Sequence, residues 1–445
     1  MSRIFGMSQK FKTHPMTAIA SDNTGDRVKV AGWLHIKRDK GKLKFLRLRD
    51  SSGIAQITIH KAKVSAETWE NAEQLTPESV VSVEGIVKAD PRAPRGAELA
   101  GEDLKISILS LAAPRVPIDI TLAKTKFDVD TAFKFRELSI RTKEVVSIMK
   151  IKNIAAKLTR NFFQSRGFVE IFTPFILTTA TEGGATMFEL DYFGKKAVLA
   201  QSNQFYKQAA ISCHEKVFGI IPSWRAEKSR TPKHLTEFHQ IENEIAFATV
   251  DELMQIQEEL VRYIIQGVKK EASEDLEVLE RDIRVPKLPL KRLRFSEAKA
   301  LCFELSVEEP EDEDFGATAE TALSKHHEDP FFITHFPTAL RGIYYEEDAD
   351  DPTLTASIDL MGPQGFGELS SGGERVFRKE RLIERIQQAN LRPESFEWYL
   401  RMFEYGMPPH AGYGLGFERL IRWICGLSHL REAVLFPRTP DLWTP

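Results

Sequence analysis

The run WRAEKSRTPKHLTEF, residues 224–238, decides how the larger part of this chain is read. Strand-like residues on either side of a charged loop make it a hairpin. Arg225 and Glu227 at a buried hairpin end cost free energy unless they have partners. Two readings fit: a surface hairpin with an ordinary ion pair, or a site where Arg225 holds a phosphate and Phe238 offers a flat face to a base. A second run, Gly412-Tyr413-Gly414-Leu415-Gly416-Phe417-Glu418-Arg419-Leu420, places three glycines at alternate positions before a helix with Arg419 in its first turns. Such glycines let the backbone approach something flat, or else line a strand–helix packing contact. The spacing is GxGxG, not GxGxxG, and no acidic residue follows at the distance a dinucleotide fold requires.

Between the two runs lie Asp359 and Glu368, with Arg375 beyond the turn Ser370-Ser371-Gly372-Gly373. Two carboxylates near a strand end can hold Mg²⁺ against phosphate oxygens, or be two solvated acids. Upstream, Gln201-Ser202-Asn203-Gln204-Phe205-Tyr206-Lys207-Gln208 gathers amides, aromatics and one cation after an apolar strand, which suits a small polar ligand. The same run also suits a helix N-terminus capped at Ser202.

The 445 residues allow two or three domains. Five strand candidates between Val28 and Leu111 fit a small closed barrel of the OB type, giving a first domain over 1–113. Pro114 and Pro117 open a linker over 114–142. From 143 to 445, helices at 145–163 and 250–269 stand among strand-like runs at 168–172, 197–200, 216–221, 237–247, 331–346 and 355–370. This order lacks βαβ alternation and points to an α+β domain on an antiparallel sheet. The acidic stretch 271–330 reads as a solvated insertion. A net charge of -3 excludes a global basic field, so any RNA contact must be local. Three scattered cysteines exclude a disulfide framework and suit a reducing cytoplasm. No segment reaches the ~20 apolar residues of a membrane span.

The joint order RAE(x)nHLTEF, a Glu with a downstream GGxR, then GxGxGxER resembles class II aminoacyl-tRNA synthetases, closest to the subgroup for aspartate, asparagine and lysine. The resemblance implies ATP as substrate with Mg²⁺, tRNA as partner, and a homodimer formed through GFVEIFTP, residues 167–174. It implies that Arg225 binds the α-phosphate and carboxylate, and that Arg419 binds the γ-phosphate against the adenine. Phe238 would stack on the other adenine face, with Glu227 on the adenosine side and His234 near the terminal phosphates. Asp359 and Glu368 would hold the metal, and Glu182 would sit in a loop closing over the amino acid alongside Gln204 and Ser371. Val28 to Ile59 resembles the anticodon-binding barrel. There Phe45 would stack on a base, with Lys37, Arg38 and Arg47 near the backbone. His35 and Pro94 resemble the relaxed aspartate enzymes that charge both the aspartate and the asparagine tRNA.

For the amino acid, the resemblance implies aspartate through Lys207 followed by Gln208. An ammonium at Lys207 and a guanidinium at Arg375 would clamp a side-chain carboxylate, and asparagine would leave a cation under-compensated. The longer loop Asp359 to Glu368, EKSRT at 227–231 and the ending FPRTP resemble the asparagine enzymes, which are the alternative. A paralogue making an amide from activated aspartate is a second alternative, disfavoured by the intact barrel. A non-catalytic binding protein would be expected to have lost Arg225, Glu368 or Arg419.

Overall fold

The computed structural model describes residues 10–122, 127–178, 187–228, 233–310 and 312–444. It divides into two compact units, residues 1–127 and 128–445.

In the first unit, β1 (Arg27–Asp39), β2 (Leu43–Asp50), β3 (Gly53–His60), β4 (Val80–Ala89), β5 (Ala97–Ala100) and β6 (Lys105–Ser110) form one sheet in the order β1-β2-β3-β5-β4-β6. An added β1–β4 pairing closes it into a barrel. Closure needs one strand to serve two neighbours, and β1 bulges between Leu34 and Ile36 to do so. A Cβ at Gly32 would lie 2.2 Å from the carbonyl oxygen of Arg49, so only glycine fits at this crossing. Period-two alternation sends Val28, Val30, Leu34, Leu46, Leu48, Ile57 and Ile59 inward. Helix α1 (Ala66–Gln74), capped by Ser65, adds Trp69 and Ala72 to that core.

The second unit carries an eight-stranded sheet among the described residues. Its members are β7 (Val169–Glu170), β11 (Lys216–Trp224), β12 (Glu237–Ala246), β13 (Lys291–Arg294), β14 (Phe331–Thr334), β15 (Ser357–Gly362), β16 (Gly367–Arg375) and β17 (His410–Gly416), in the order β13-β14-β15-β16-β17-β12-β11-β7. All neighbours are antiparallel except β11–β7 and β13–β14. A small sheet holds β8 (Ile176–Leu177), β9 (Glu189–Tyr192) and β10 (Lys195–Leu199). The helices are α2 (Val129–Lys134), α3 (Arg136–Ser139), α4 (Lys143–Gln164), α5 (Gln204–His214), α6 (Val250–Glu271), α7 (Ser273–Val278), α8 (Phe295–Glu304), α9 (Ala317–His326), α10 (Lys379–Gln388), α11 (Glu397–Phe403) and α12 (Phe417–Cys425). The apolar stripes of α4, α6 and α12 pack on one face of the large sheet against Ile241, Ile245, Ala411, Tyr413 and Leu415. The alternate residues Gln240, Glu242, Glu244, Gly412, Gly414 and Gly416 therefore point to the opposite face. No described helix is long and apolar enough to cross a membrane.

Three expectations change. Residues 271–330 are not a bare solvated insertion. β13 is an edge strand of the large sheet, and Phe295, Ala298, Cys302, Ala319 and Leu323 fill a separate apolar core with Phe331, Ile333 and Phe336. The acids of that stretch mask the short apolar periods of α8 and α9. The expected strand at 331–346 stops at Thr334, because His335 adopts φ +56° and Pro337 follows. Residues 129–139, expected in a linker, form α2 and α3 of the second unit. There Arg136 donates to the carbonyls of Leu435 and Val434 at 2.7 and 3.0 Å.

Phe295 meets the rings of Phe315 and Phe336 at 5.0 and 5.1 Å. Phe295→Ala is expected to lower stability by about 3 kcal/mol, read as a fall in the urea midpoint of unfolding. A solvated insertion would give a shift within about 0.5 kcal/mol.

Candidate active site and nucleic-acid surface

The open face of the large sheet has room because β17, beyond His410 at its start, carries no side chain there. A Cβ at Gly412 would fall 2.0 Å from Glu244 Oε2, and one at Gly414 would fall 3.0 Å from Glu242 Oε1. Two cavities lie over this face. One is lined by Arg225, Glu227, His234, Phe238, Gly416 and Arg419, the other by Ser202, Gln204, Glu242, Arg341, Ser371 and Arg375. Arg225, Gln240, Glu368 and Gly414 line both.

In the first cavity the hairpin is closed by Arg225 N–H donating to the Thr236 carbonyl at 3.0 Å. The Arg225 guanidinium stands 5.6 Å from the Phe238 ring centre. His234 Nε2 lies 3.6 Å from Glu227 Oε2. Burial, with Arg419 and Arg225 adding to it, keeps His234 below the usual imidazole range despite Glu227. Across the cavity, Arg419 Nη1 contacts Glu368 Oε1 at 3.0 Å and its carbonyl at 2.9 Å. Burial works against the charge of Glu368, but Arg419, Arg225 and Arg341 outweigh it and hold the carboxyl low. The neighbouring Glu418 is buried and anchors α12, taking bonds from Lys152 Nζ at 2.7 Å and His239 N at 2.8 Å.

Asp359 sits beside Ser371 on the β15–β16 ladder, buried, with Oδ2 2.8 Å from Arg341 Nη2. Burial, with Glu368 and Asp314 adding to it, pushes this carboxyl up to about 7 against the pull of Arg341. Its Oδ1 is buried and has no hydrogen-bond partner among the described residues. Two nearby carboxylates, one with an orphaned oxygen, are a hard-oxygen donor set suited to Mg²⁺. No described group of three or more His, Cys, Asp or Glu could hold a metal alone.

In the second cavity the expected clamp is corrected. Lys207, fully buried on α5, does not present an open ammonium: its Nζ contacts Glu242 Oε2 at 2.6 Å and Glu244 Oε2 at 3.2 Å. Arg375 Nε donates to Glu244 Oε1 at 3.0 Å, and Nη2 donates to the Gly412 carbonyl at 2.6 Å. Two cations thus meet two carboxylates of the protein, and neither cation depends on a ligand for compensation. Glu244 stays well below the usual range although burial opposes its charge, because Arg375 and Lys207 outweigh that cost. Arg375 Nη1 is a buried donor without a partner among the described residues, as are Gln204 Nε2 and Arg341 Nε on the same cavity. Ser202 Oγ accepts from Gln204 N at 3.3 Å at the start of α5, while Asn203 occupies the N-cap position. Glu182 lies outside the described residues. Glu242, Glu244 and Arg341 were missed by the sequence reading. The available signal for the two acids was Gln240-Ile241-Glu242-Asn243-Glu244-Ile245, polar at every second position, with Ile241 and Ile245 on the core side and Asn243 the one polar residue among them.

On the barrel, Phe45 is half-buried beside exposed Arg38 on β1, and opposite Thr58 on β3. Arg47 pairs with Gln56, and Glu98 accepts from Gln56 Nε2 at 2.9 Å and from Thr58 Oγ1 at 2.5 Å. The face therefore carries a ring next to an amide–carboxylate pair, a set able to stack on one base and bond its edge. Gln56 and Glu98 were not picked out from sequence. Two other expectations change here. His35, whose resemblance points to tRNA, does not lie open on the surface: it is buried, 7% exposed. Lys37 Nζ is tied to the carbonyls of Glu73 and Leu75 at 2.7 and 3.0 Å, where it satisfies the C-terminal end of α1 rather than reaching outward. Pro94 is half-buried and opens the short turn Pro94–Gly96.

Residues 128–440 match the class II tRNA synthetases (D, K and N), and residues 28–109 match the OB-fold nucleic acid binding domain. The chain belongs to this class II synthetase family and is an aminoacyl-tRNA ligase with an OB-fold anticodon-binding domain. Among its relatives, an aspartate--tRNA(Asp/Asn) ligase of Sulfurisphaera tokodaii is 39% identical, covering 98% of this chain and 100% of the relative. An asparagine--tRNA ligase of Thermococcus gammatolerans is also 39% identical, covering 95% and 96%. The structure is similar to asparaginyl-tRNA synthetase from Pyrococcus horikoshii complexed with asparaginyl-adenylate, with a TM-score of 0.92, 37% identity, and coverage of 97% of this chain and 99% of that one.

Arg225 lines both cavities, so its loss affects both ligands. Arg225→Ala is expected to reduce ATP–pyrophosphate exchange by roughly 10²–10³-fold, with the far-ultraviolet circular dichroism spectrum unchanged. An exchange rate within threefold of the wild type would remove Arg225 from the junction.

Proposed function

We propose that this enzyme activates aspartate with ATP and transfers it to tRNA. The observation that carries activation is the pair of cavities meeting at Arg225, Gln240, Glu368 and Gly414. ATP lies in the first, with adenine between Phe238 and Arg419, Glu227 toward the adenosine, and His234 toward the terminal phosphates. The amino acid lies in the second, near Gln204, Ser371 and Glu242. A carboxylate oxygen of the amino acid attacks the α-phosphorus in line. The new P–O bond forms as the bond to pyrophosphate breaks, and pyrophosphate leaves with the electron pair. Arg225 at the junction orients the attacking carboxylate and offsets charge on the α-phosphate. Asp359 and Glu368 would hold Mg²⁺, which neutralises phosphate charge when bound.

Aspartate is supported by the ion pair between Lys207 and Glu242 at the cavity floor. Without Lys207, Glu242 and Glu244 would face an incoming carboxylate as two acids. With it, Glu242 is neutralised and Arg375 Nη1 remains to meet the ligand. The Sulfurisphaera relative, named for aspartate and both tRNAs, agrees with this reading. Asparagine is the second reading. Glu242 as acceptor and Arg375 Nη1 as donor also match the two ends of a carboxamide. ATP–pyrophosphate exchange with aspartate and asparagine in parallel separates the two, and exchange with asparagine alone would overturn the first. Lys207→Met is expected to cut exchange with aspartate at least tenfold more than exchange with asparagine, since it leaves two buried acids with one cation. An equal loss with both would mean that Lys207 serves only packing.

For tRNA, Phe45 stacks on an anticodon base beside Gln56 and Glu98, and Arg38 and Arg47 lie near the backbone. Phe45→Ala is expected to weaken tRNA binding by about 1–3 kcal/mol, measured by filter binding, and to leave exchange unchanged. His35 on β1 and Pro94 in the turn before β5 are the two positions whose resemblance supports charging of both tRNAs, and aminoacylation of each purified tRNA checks it. A homodimer is supported by the edge strand β7 and by exposed Phe172, Phe193, Ile176 and Tyr192. A cytoplasmic location fits three scattered free cysteines.

A further inference from the structure

Behind the second cavity runs a buried chain of polar groups that lines neither cavity. Tyr399 O–H donates to Gln208 Oε1 at 2.9 Å. Gln208 Nε2 lies 2.7 Å from His410 Nε2, and His410 Nδ1 lies 2.7 Å from the Pro408 carbonyl. Tyr399, Gln208 and His410 are each at most 1% exposed. Their directions are fixed by chemistry. The Pro408 carbonyl only accepts, so Nδ1 carries the proton. Tyr399 takes the amide oxygen of Gln208, so the amide nitrogen faces His410. An amide nitrogen only donates, so His410 Nε2 must accept. Burial and the cations Arg375 and Lys207 also hold His410 down at about 4, against the pull of Glu244.

The consequence lies at Glu244 Oε1. Arg375 Nε bonds this oxygen at 3.0 Å, and His410 Nε2 stands 4.0 Å from it. A proton on His410 Nε2 would compete with Arg375 for that oxygen. We propose that Gln208 is a specificity-determining positioning residue: by occupying His410 Nε2 it reserves Glu244 Oε1 for Arg375 and so fixes the guanidinium that reads the amino-acid side chain. This rests on the proposed reading of the second cavity as the amino-acid site. The residue works at a distance, through His410 and Glu244, and its effect falls on discrimination rather than on ATP.

Gln208→Met removes the donor at similar volume, and Tyr399→Phe releases the amide to rotate. For the full-length enzyme and both variants, two quantities are measured. One is the ratio of kcat/KM for aspartate to that for asparagine in ATP–pyrophosphate exchange. The other is the imidazole tautomer of His410 by ¹⁵N NMR. The wild type should carry the Nδ1 proton only. Gln208→Met should let Nε2 take a second proton beside the one that Pro408 holds on Nδ1, and move the ratio about tenfold toward one, with the KM for ATP unchanged, and Tyr399→Phe should move it in the same direction. A structural role alone would lower both kcat/KM values equally and leave the ratio where it was. The proposal is overturned if the ratio stays within twofold in both variants, or if wild-type His410 carries the Nε2 proton. A wild-type preference for asparagine would overturn the aspartate reading alone, because the variants should still move the ratio toward one.

Discussion

Glu244 is buried among Lys207, Arg375 and His410, and it stays ionised there because the two cations outweigh the cost of taking its charge out of water. Removing one member of such a cluster leaves an uncompensated buried charge, at about 3–5 kcal/mol. That cost binds α5, β12, β16 and β17 into one arrangement, since each supplies a member or a neighbour. The second cavity is shaped by this cluster before any ligand arrives. Within the cluster, Arg375 Nη1 is the buried donor left without a partner among the described residues.

The same sheet separates stability from chemistry by strand alternation. Ile241, Ile245, Tyr413 and Leu415 face the helices and build the core, while Gln240, Glu242 and Glu244 face the cleft. Gly412 and Gly414 complete the division by leaving the space that the β12 acids occupy. A slip of one residue in the β12–β17 register would bring isoleucines to the cleft and carboxylates to the core, so the core packing also guards the site.

The grouping of residues in the first cavity was legible in the sequence because its signals are local: Arg225 and Phe238 flank one hairpin loop, and Arg419 follows a glycine run. The barrel was legible from alternating short strands. The second cavity was legible only in part. Lys207 and Arg375 were noticed as cations, but their partners Glu242 and Glu244 lie on a distant strand, and only folding brings the four together. Lys37 misled for a related reason. Its charge suggested phosphate, whereas the nearest unsatisfied groups are the carbonyls that end α1. In 271–330 the mean charge hid two short apolar faces, because sparse hydrophobic residues at helical spacing count for little in composition and for much in a core.

The wall-less junction at Gly414 has one more consequence. On the proposed reading, a molecule that joins the contents of the two cavities occupies both at once, its halves linked by a single acyl-phosphate bond. Each half then holds the other at very high effective concentration, so escape requires both to let go together. The joined product is accordingly retained far more firmly than either substrate that formed it. A reactive anhydride is thereby kept out of water until a third reactant comes to collect it.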